Sequence, residues 1–401
     1  MPVPPASLAP LQEPGFRRLV VGTAISRLGS GIASVALAFA VLDLTGSIAL
    51  LGLVVAARSI ANVALLLVGG VLADRLPRGL LLTGSAVLSG AAQLAVAAIV
   101  AARLDLVWLI ALLAAVNGAA SAVSQPLATA LVPQTLPAGL LQEGNAIARL
   151  SGNLTSLLGT AVAGLVVAFA GSAAAVAIDG VTFLLAAAAW VGLRAPAPDR
   201  DGASSFLDDL VEGWHAFRTR RWLWTVVAAF TVSNCCYGGA VLVLGPAFAD
   251  TTIGRPAWGL VQAALPAGLV VGGLLALRLR PRRPLAVAVL CTVPFPLVAL
   301  ALGLAPGAAV LVVVFLLAGV GAEVFEVLWQ TTMQHRVPPE LLARVSSYDL
   351  LGSFVAIPVG QLLAAPAAAA IGVRPALIVA GAVGGAVLLA CLLVRDVRSP
   401  A

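Results

Sequence analysis

A few ionisable side chains interrupt otherwise apolar runs of this chain, and they bound the chemistry open to it. Arg27, Arg58, Asp179 and Glu323 fall well inside such runs, and Arg149, Glu326 and Asp349 fall nearer their ends. A charge at the centre of a hydrocarbon layer costs about 2.5–3.5 kcal/mol even on lenient insertion scales, so each asks for a partner, water or a ligand. A carboxyl group can take up a proton on one face of a membrane and release it on the other. A guanidinium can neutralise that carboxylate, or it can fork onto an anion. Glu323 and Glu326 stand one helical turn apart. At 1.5 Å per residue Glu323 lies about 13 Å from the C-terminal end of its run and Arg27 about 12 Å from the N-terminal end of its own, ends expected on the same, inner face. Glu323, Glu326 and Arg27 are therefore the proton-coupling candidates. The competing uses are an ion pair across a helix interface for either Glu, and capture of an anionic substrate group or snorkelling for Arg27. Arg58 and Asp179 both sit about 10–12 Å below the opposite surface and are candidates for an intramembrane charge pair.

Smaller polar residues recur at helical spacing beside these charges. Thr23, Ser26, Arg27, Ser30 and Ser34 share one helical face, and Asn117, Ser121, Ser124, Gln125 and Thr129 share another. Glu323, Glu326, Gln330 and Gln334 form a third stripe, whereas residues 376–393 carry almost no polar side chain. Such stripes want water, substrate or a hydrogen bond to another helix, while the apolar run wants lipid. Ser30, Asn117, Ser121, Ser124, Asn234, Tyr237 and Gln330 are the substrate-cavity candidates.

Several chemistries are excluded or disfavoured. All 23 basic residues are Arg, so no Walker A lysine exists to hold ATP and no lysine Schiff base can form. Cys235, Cys236, Cys291 and Cys391 all fall in apolar runs and read as small buried hydrophobes rather than disulfide or metal ligands. His215 and His335 read as surface loop residues with no metal or triad spacing around them. The expectation is a protein that is not an enzyme and uses no metal and no cofactor.

The elements that must position these residues are membrane spans. Hydrophobic residues make up 61% of the 401 and charged residues 10%, against about 25% charge in a soluble domain. Apolar runs of about 20 residues recur, each long enough to cross a ~30 Å hydrocarbon core as a helix. Twelve are predicted: residues 19–42, 50–72, 80–102, 107–132, 144–170 and 173–193, then 223–248, 258–277, 285–304, 308–332, 346–370 and 375–394. The fold class is all-α, with two pseudo-symmetric six-helix bundles at 19–193 and 223–394. Residues 1–18 and 395–401 are expected as cytoplasmic tails, and 194–222 as a cytoplasmic linker. In that linker Phe206, Leu207, Leu210, Val211, Trp214 and Phe217 recur at helical spacing, which predicts an amphipathic helix on the inner membrane face.

Arginine placement sets the orientation. With both termini inside, only Arg103, Arg255 and Arg374 fall in outer segments and Arg27, Arg58 and Arg149 within spans; the other 17 lie inside. That bias follows the positive-inside rule, so the net charge of +6 is an orientation signal and does not require nucleic acid. The halves also repeat. Gly70–Arg75 matches Gly273–Arg278 at an offset of 203, and Leu136-Pro137 and Gly159 match Val337-Pro338 and Gly360 at 201. A constant offset at matching places in the spans indicates internal duplication.

Twelve spans, a six-plus-six repeat and a long central segment resemble the major facilitator superfamily. The most specific match is its loop 2–3 motif, G-x-L-A-D-R-x-G-R-[KR], which Gly70, Leu72, Ala73, Asp74, Arg75 and Arg78 fit, while Pro77 and Gly79 depart from it. Val132-Pro133 through Asn145, then Gly159 and Gly164, resemble the macrolide-efflux and enterobactin-exporter branch of drug:proton antiporters. So do Asp179-Gly180-Val181-Thr182-Phe183 and Trp329-Gln330 through Val337-Pro338. Thr160 stands where antiporters often place Pro after Gly159. The resemblance implies the major facilitator fold in a bacterial cell membrane, a central cavity lined by spans 1, 4, 7 and 10, and alternating access. It implies proton-coupled efflux of hydrophobic small molecules, with small-molecule substrate, protons and lipid as partners, no ATP, and a monomer. It also makes Gly70, Asp74, Arg75 and Arg78 a cytoplasmic gate, which the second copy lacks because Leu277 replaces the acid. A proton-coupled importer and a non-transporting receptor or scaffold on the same fold stand as the alternatives.

Overall fold

The computed structural model describes residues 8–75, 77–193, 206–279, 281–304 and 307–398, and among them there is no strand. Two units cluster separately, one of Met1–Gly46 with Ala57–Asp199, the other of Ser47–Ala56 with Arg200–Ala401. In chain order the first half holds α1 (Pro14–Thr45), α2 (Ile48–Arg75), α3 (Arg78–Ala101), α4 (Val107–Leu131) and α5 (Leu141–Trp190). The second holds α6 (Phe206–Thr219), α7 (Arg221–Gly239), α8 (Gly245–Thr251), α9 (Arg255–Ala276), α10 (Pro284–Cys291) and α11 (Pro294–Leu304). After these come α12 (Ala308–Arg336), α13 (Pro339–Phe354), α14 (Ile357–Ile371), α15 (Val373–Cys391) and α16 (Arg395–Arg398).

Eleven stretches among the described residues are long and apolar enough to cross a bilayer. One of them contains α5, whose 50 residues would reach about 75 Å as a single rod. It breaks at Gly171 (φ 87, ψ 162), a backbone region open in practice to glycine alone, and so makes two crossings. Twelve helical stretches of membrane-spanning length and composition result among the described residues. Of the seven described residues with positive φ, six occupy the short turns on the side that the arginine bias assigns to the outside: Gly46, Arg103, Gly171, Gly254, Gly307 and Gly372.

Three spans are less regular than the sequence predicts, and proline explains each. Pro294 and Pro296 interrupt the ninth span. There Val293 N–H bonds the Leu290 carbonyl at 3.2 Å and Phe295 N–H that of Thr292 at 2.9 Å, three-residue bonds that recover carbonyls the prolines leave. Pro358 ends the regular ladder between α13 and α14. Ala240–Leu244, between α7 and α8, form a π-helical turn just before Pro246, whose ring would clash with the Leu242 carbonyl in a regular α-helix.

The ends also differ from expectation. α1 starts at Pro14 rather than Leu19, so residues 14–18 of the expected tail are helical, and α16 occupies part of the other tail. His335 is not a loop residue but lies in the last turn of α12, and His215 lies on α6. The amphipathic α6 forms as expected, yet Phe217 is buried in the core of its unit and packs on Tyr348 with ring centroids 6.0 Å apart. Protein, not lipid, covers that part of its apolar face. Residues 194–205 lie outside the described residues.

Glycines set the closest helix crossings, and the same crossings occur in both halves. A Cβ on Gly159 would run into the Leu28 carbonyl of α1, and one on Gly360 into the Cys235 carbonyl of α7. Likewise Gly118 of α4 abuts the Arg58 carbonyl of α2, and Gly319 of α12 abuts the Leu265 carbonyl of α9. The glycines repeat at 201 residues (118 to 319, 159 to 360) and the carbonyls at 207 (28 to 235, 58 to 265). Backbone contact of this kind is the main source of helix association where lipid is as apolar as leucine.

Filling one of these crossings should destabilise the protein. Gly159→Ala is expected to cost about 1–3 kcal/mol by overpacking. Gly84→Ala, where nothing lies within 4 Å of the added carbon, should gain about 0.5–1 kcal/mol as an ordinary helical substitution. Melting of the detergent-solubilised protein, followed by tryptophan fluorescence, should order them Gly159→Ala, wild type, Gly84→Ala; equal shifts would refute the crossing.

Candidate functional site

Each unit encloses a cavity on the polar side of its spans. The first, about 400 Å³, is walled by α1, α2, α4 and α5. Hydroxyls dominate its wall: Thr23, Ser26, Ser30 and Ser34 from α1, Ser121 and Ser124 from α4, Ser156 and Thr160 from α5. Two guanidiniums, Arg27 and Arg58, join them, and no acid does. Many of the hydroxyls bond back to their own helix, Thr23 to the Leu19 carbonyl at 2.7 Å, Ser34 to Gly31 at 2.7 Å and Thr160 to Ser156 at 2.8 Å. Most of the stripe hydroxyls therefore satisfy themselves on their own helix, while Ser30 reaches across to Asp179 of α5.

Glycine also makes room for Arg27. A Cβ on Gly152 of α5 would lie 2.6 Å from the Arg27 Nη1, so the guanidinium rests on bare backbone. Arg149, one turn earlier, adds a like charge nearby. Arg58 is within electrostatic reach of Asp179, as the sequence suggests, but no direct hydrogen bond joins them. Asp179, 1% exposed, instead accepts a 2.5 Å bond from Gln93 Nε2 of α3, and its other oxygen faces Gly29 of α1. Gln93 was not singled out by the sequence; the one amide side chain of a helix that past Arg78 is otherwise apolar or hydroxyl-bearing, it carried the signal.

The second cavity, about 190 Å³, is aromatic and acidic. Phe230, Phe295, Phe325, Trp329 and Phe354 line it with Asn234, Glu326, Gln330 and Asp349. Phe230 stacks on Phe325 (4.4 Å between centroids), Phe325 on Trp329 (5.7 Å), and Trp222 meets Trp329 edge-on (5.5 Å). Gln330 Nε2 donates to Glu326 Oε1 at 3.0 Å, and Trp329 Nε1 donates to Asp349 Oδ2 at 2.9 Å. The aromatic wall and the Trp329–Asp349 bond were missed, because aromatic residues inside a span look like ordinary apolar filler until their neighbours are known.

Of the candidates, Ser30, Ser121 and Ser124 line the first cavity, and Asn234 and Gln330 the second. Asn117 is 1% exposed, with neither amide atom hydrogen-bonded, and is not in the wall. Tyr237 stacks on Phe295 at 4.6 Å, behind the wall of the second cavity. Arg27 lies in the first unit and Glu326 in the second cavity. Glu323 packs its stem along α9, where a Cβ on Gly272 would lie 3.0 Å from its own. The side chains of Gly70, Asp74 and Arg75 lie outside the described residues, and that of Arg78 is partly buried.

Twelve crossings with charged, protein-walled cavities inside them define a multi-pass membrane protein of the solute-transporter class. The chain belongs to the Major Facilitator Superfamily, whose family model matches residues 19–360. It is thus a multi-pass membrane transporter of small molecules and not an enzyme. Macrolide efflux protein A of Streptococcus pyogenes is 23% identical over 393 residues, 96% of each chain. Among solved structures, the nucleoside transporter NupG superposes with a TM-score of 0.75 at 14% identity, covering 94% of this chain and 98% of that one. A POT family transporter in complex with a thioalcohol conjugated peptide gives 0.74 at 13% identity, covering 94% and 95%.

The buried Trp329–Asp349 bond yields a stability test. Asp349→Ala strands the indole N–H and should cost about 1–3 kcal/mol. Asp349→Asn keeps an acceptor in place and should cost clearly less. Urea or thermal unfolding of the solubilised protein checks the order, and an equal loss for both would remove the bond from the account.

Proposed function

We propose that this transporter exports hydrophobic small molecules, drugs or secondary metabolites, by proton-coupled alternating access. The observation that carries the direction is similarity along the whole chain to a macrolide efflux protein. Coupling is supported by the carboxylates of α12: Glu326 at the second cavity and Glu323 one turn away, packed against the glycines of α9. The aromatic wall beside Glu326 suits an apolar body, since such rings offer large contact area with a polar tip nearby. In this reading Arg27 supplies counter-charge, and Gly70, Asp74, Arg75 and Arg78 form the cytoplasmic gate of a monomer whose termini both face the cytoplasm, with lipid around it.

The energetics are adequate. One proton moved through about 100 mV gives ~2.3 kcal/mol, and one pH unit adds about 1.4 kcal/mol. A one-for-one exchange then sustains a solute gradient of a few hundredfold.

Energised everted vesicles loaded with a pH-gradient dye test the proposal. Lipophilic compounds should dequench the dye in vesicles carrying the protein, and Glu323→Gln should abolish the response. Dequenching that survives the substitution would remove Glu323 from the coupling. Silence across a broad panel, with the protein present and folded, would overturn proton-coupled export.

A further inference from the structure

The cavity of the first unit holds two cationic side chains and no acid, and this imbalance has a consequence for substrate class. Among the described residues neither Arg27 nor Arg58 donates a hydrogen bond to any protein group, although together they carry up to ten N–H donors. Arg27 is exposed to the cavity, and the charge nearest it is another cation, Arg149. The one acid that Arg58 senses, Asp179, lies behind the wall, hydrogen-bonded by Gln93 and Ser30, so it offsets Arg58 alone and leaves Arg27 without a counter-charge in the lining. Excess positive charge in a low-dielectric wall is unfavourable unless something negative enters. Two guanidinium forks on a single cavity of about 400 Å³ match a carboxylate, sulfonate or phosphate better than any neutral group. Phe183, Trp190 and Ala128 supply an apolar side to the same space.

We infer that this cavity is an anion-binding subsite, gripping the anionic end of an amphipathic organic acid through Arg27 and Arg58. The inference refines the proposed export function by naming a substrate class, organic anions with an apolar body. An anionic phospholipid headgroup presents the same chemistry as a soluble acid, so the test separates the two.

The purified protein in neutral phosphatidylcholine nanodiscs is titrated with 4-cyclohexylbutyrate, its amide and the corresponding amine. Binding is read from the quenching or shift of tryptophan fluorescence, with Trp190→Phe identifying the part of the signal that arises at the cavity. The carboxylate should bind at least tenfold more tightly than the amide, and the amine should not compete. Arg27→Gln and Arg58→Gln should each erase most of the preference for carboxylate over amide, and Arg27→Lys should keep part of it. The wild-type comparison of acid and amide needs no variant, so a poorly folding substitution does not protect the idea. Equal affinity for acid and amide, or a preference that persists in the double Gln variant, would overturn it. If phosphatidylglycerol in the nanodisc competes with the carboxylate, the soluble acid is the wrong ligand and a lipid headgroup takes its place; unchanged affinity keeps the soluble acid. Because this is an equilibrium measurement, it can fail while proton flux in vesicles persists, or succeed where that flux is absent.

Discussion

The contact between Gly159 and the Leu28 carbonyl, with its counterparts at Gly118, Gly319 and Gly360, is the interaction on which the rest of the architecture depends. In a bilayer, apolar side chains gain little by leaving lipid for one another, so helices hold together by close backbone approach and by polar contacts. A side chain at any of these glycines would push two spans apart at the level where the cavities lie. The crossings therefore fix the distances between walls whose own contacts are mostly local. Their repetition at constant offsets explains why a duplicated chain can keep its frame while its side chains diverge.

On that shared frame the two units carry opposite chemistry. The first surrounds its space with hydroxyls and two guanidiniums that donate no hydrogen bond to protein among the described residues, and keeps Asp179 behind the wall on Gln93, within electrostatic reach of Arg58. The second surrounds a smaller space with stacked aromatic rings and places Glu326 and Asp349 at it, each held by one neutral donor. Charges that would be prohibitive in lipid are tolerable in both because protein polar groups and cavity space replace hydrocarbon around them. Glu326 is anchored by Gln330 one turn on, and Asp349 by the indole of Trp329 in another helix.

Much of this was legible in the sequence because the membrane makes a simple demand: long apolar runs must be helices that satisfy their own backbone. The number of long apolar helices follows from that demand, and the duplication shows as matching residues at a constant offset. The polar stripes of α1 and α4 also marked a real wall, since Ser30, Ser121 and Ser124 all reach it. What the sequence hid depends on rotation and partner choice. Asn117 shares a stripe with Ser121 and Ser124 yet turns into the packed interior, because a stripe one residue wide does not fix which edge faces the cavity. Arg58 and Asp179 lie within electrostatic reach of each other, but Gln93 on a third helix could not be chosen as the hydrogen-bond donor without the packing. The Tyr237 hydroxyl suggested a cavity residue, whereas its ring proved a better partner for Phe295. Prolines at 246, 294 and 358 were visible, but how the chain re-satisfies its carbonyls around each was not.

The central claim is that the polar stripes face water-accessible cavities inside the protein and not lipid or packed interfaces. Single cysteines at Ser124 and Gln330, introduced after replacing Cys235, Cys236, Cys291 and Cys391, test it directly in native membranes with a small water-soluble methanethiosulfonate reagent. Leu185→Cys and Leu363→Cys, on surfaces 53% and 56% exposed with only apolar neighbours in sequence, serve as lipid-facing references. The account predicts rapid modification at Ser124→Cys and Gln330→Cys and slow modification at the two leucine positions. Equal rates at all four, or protection of both cavity positions in a correctly folded protein, would contradict it.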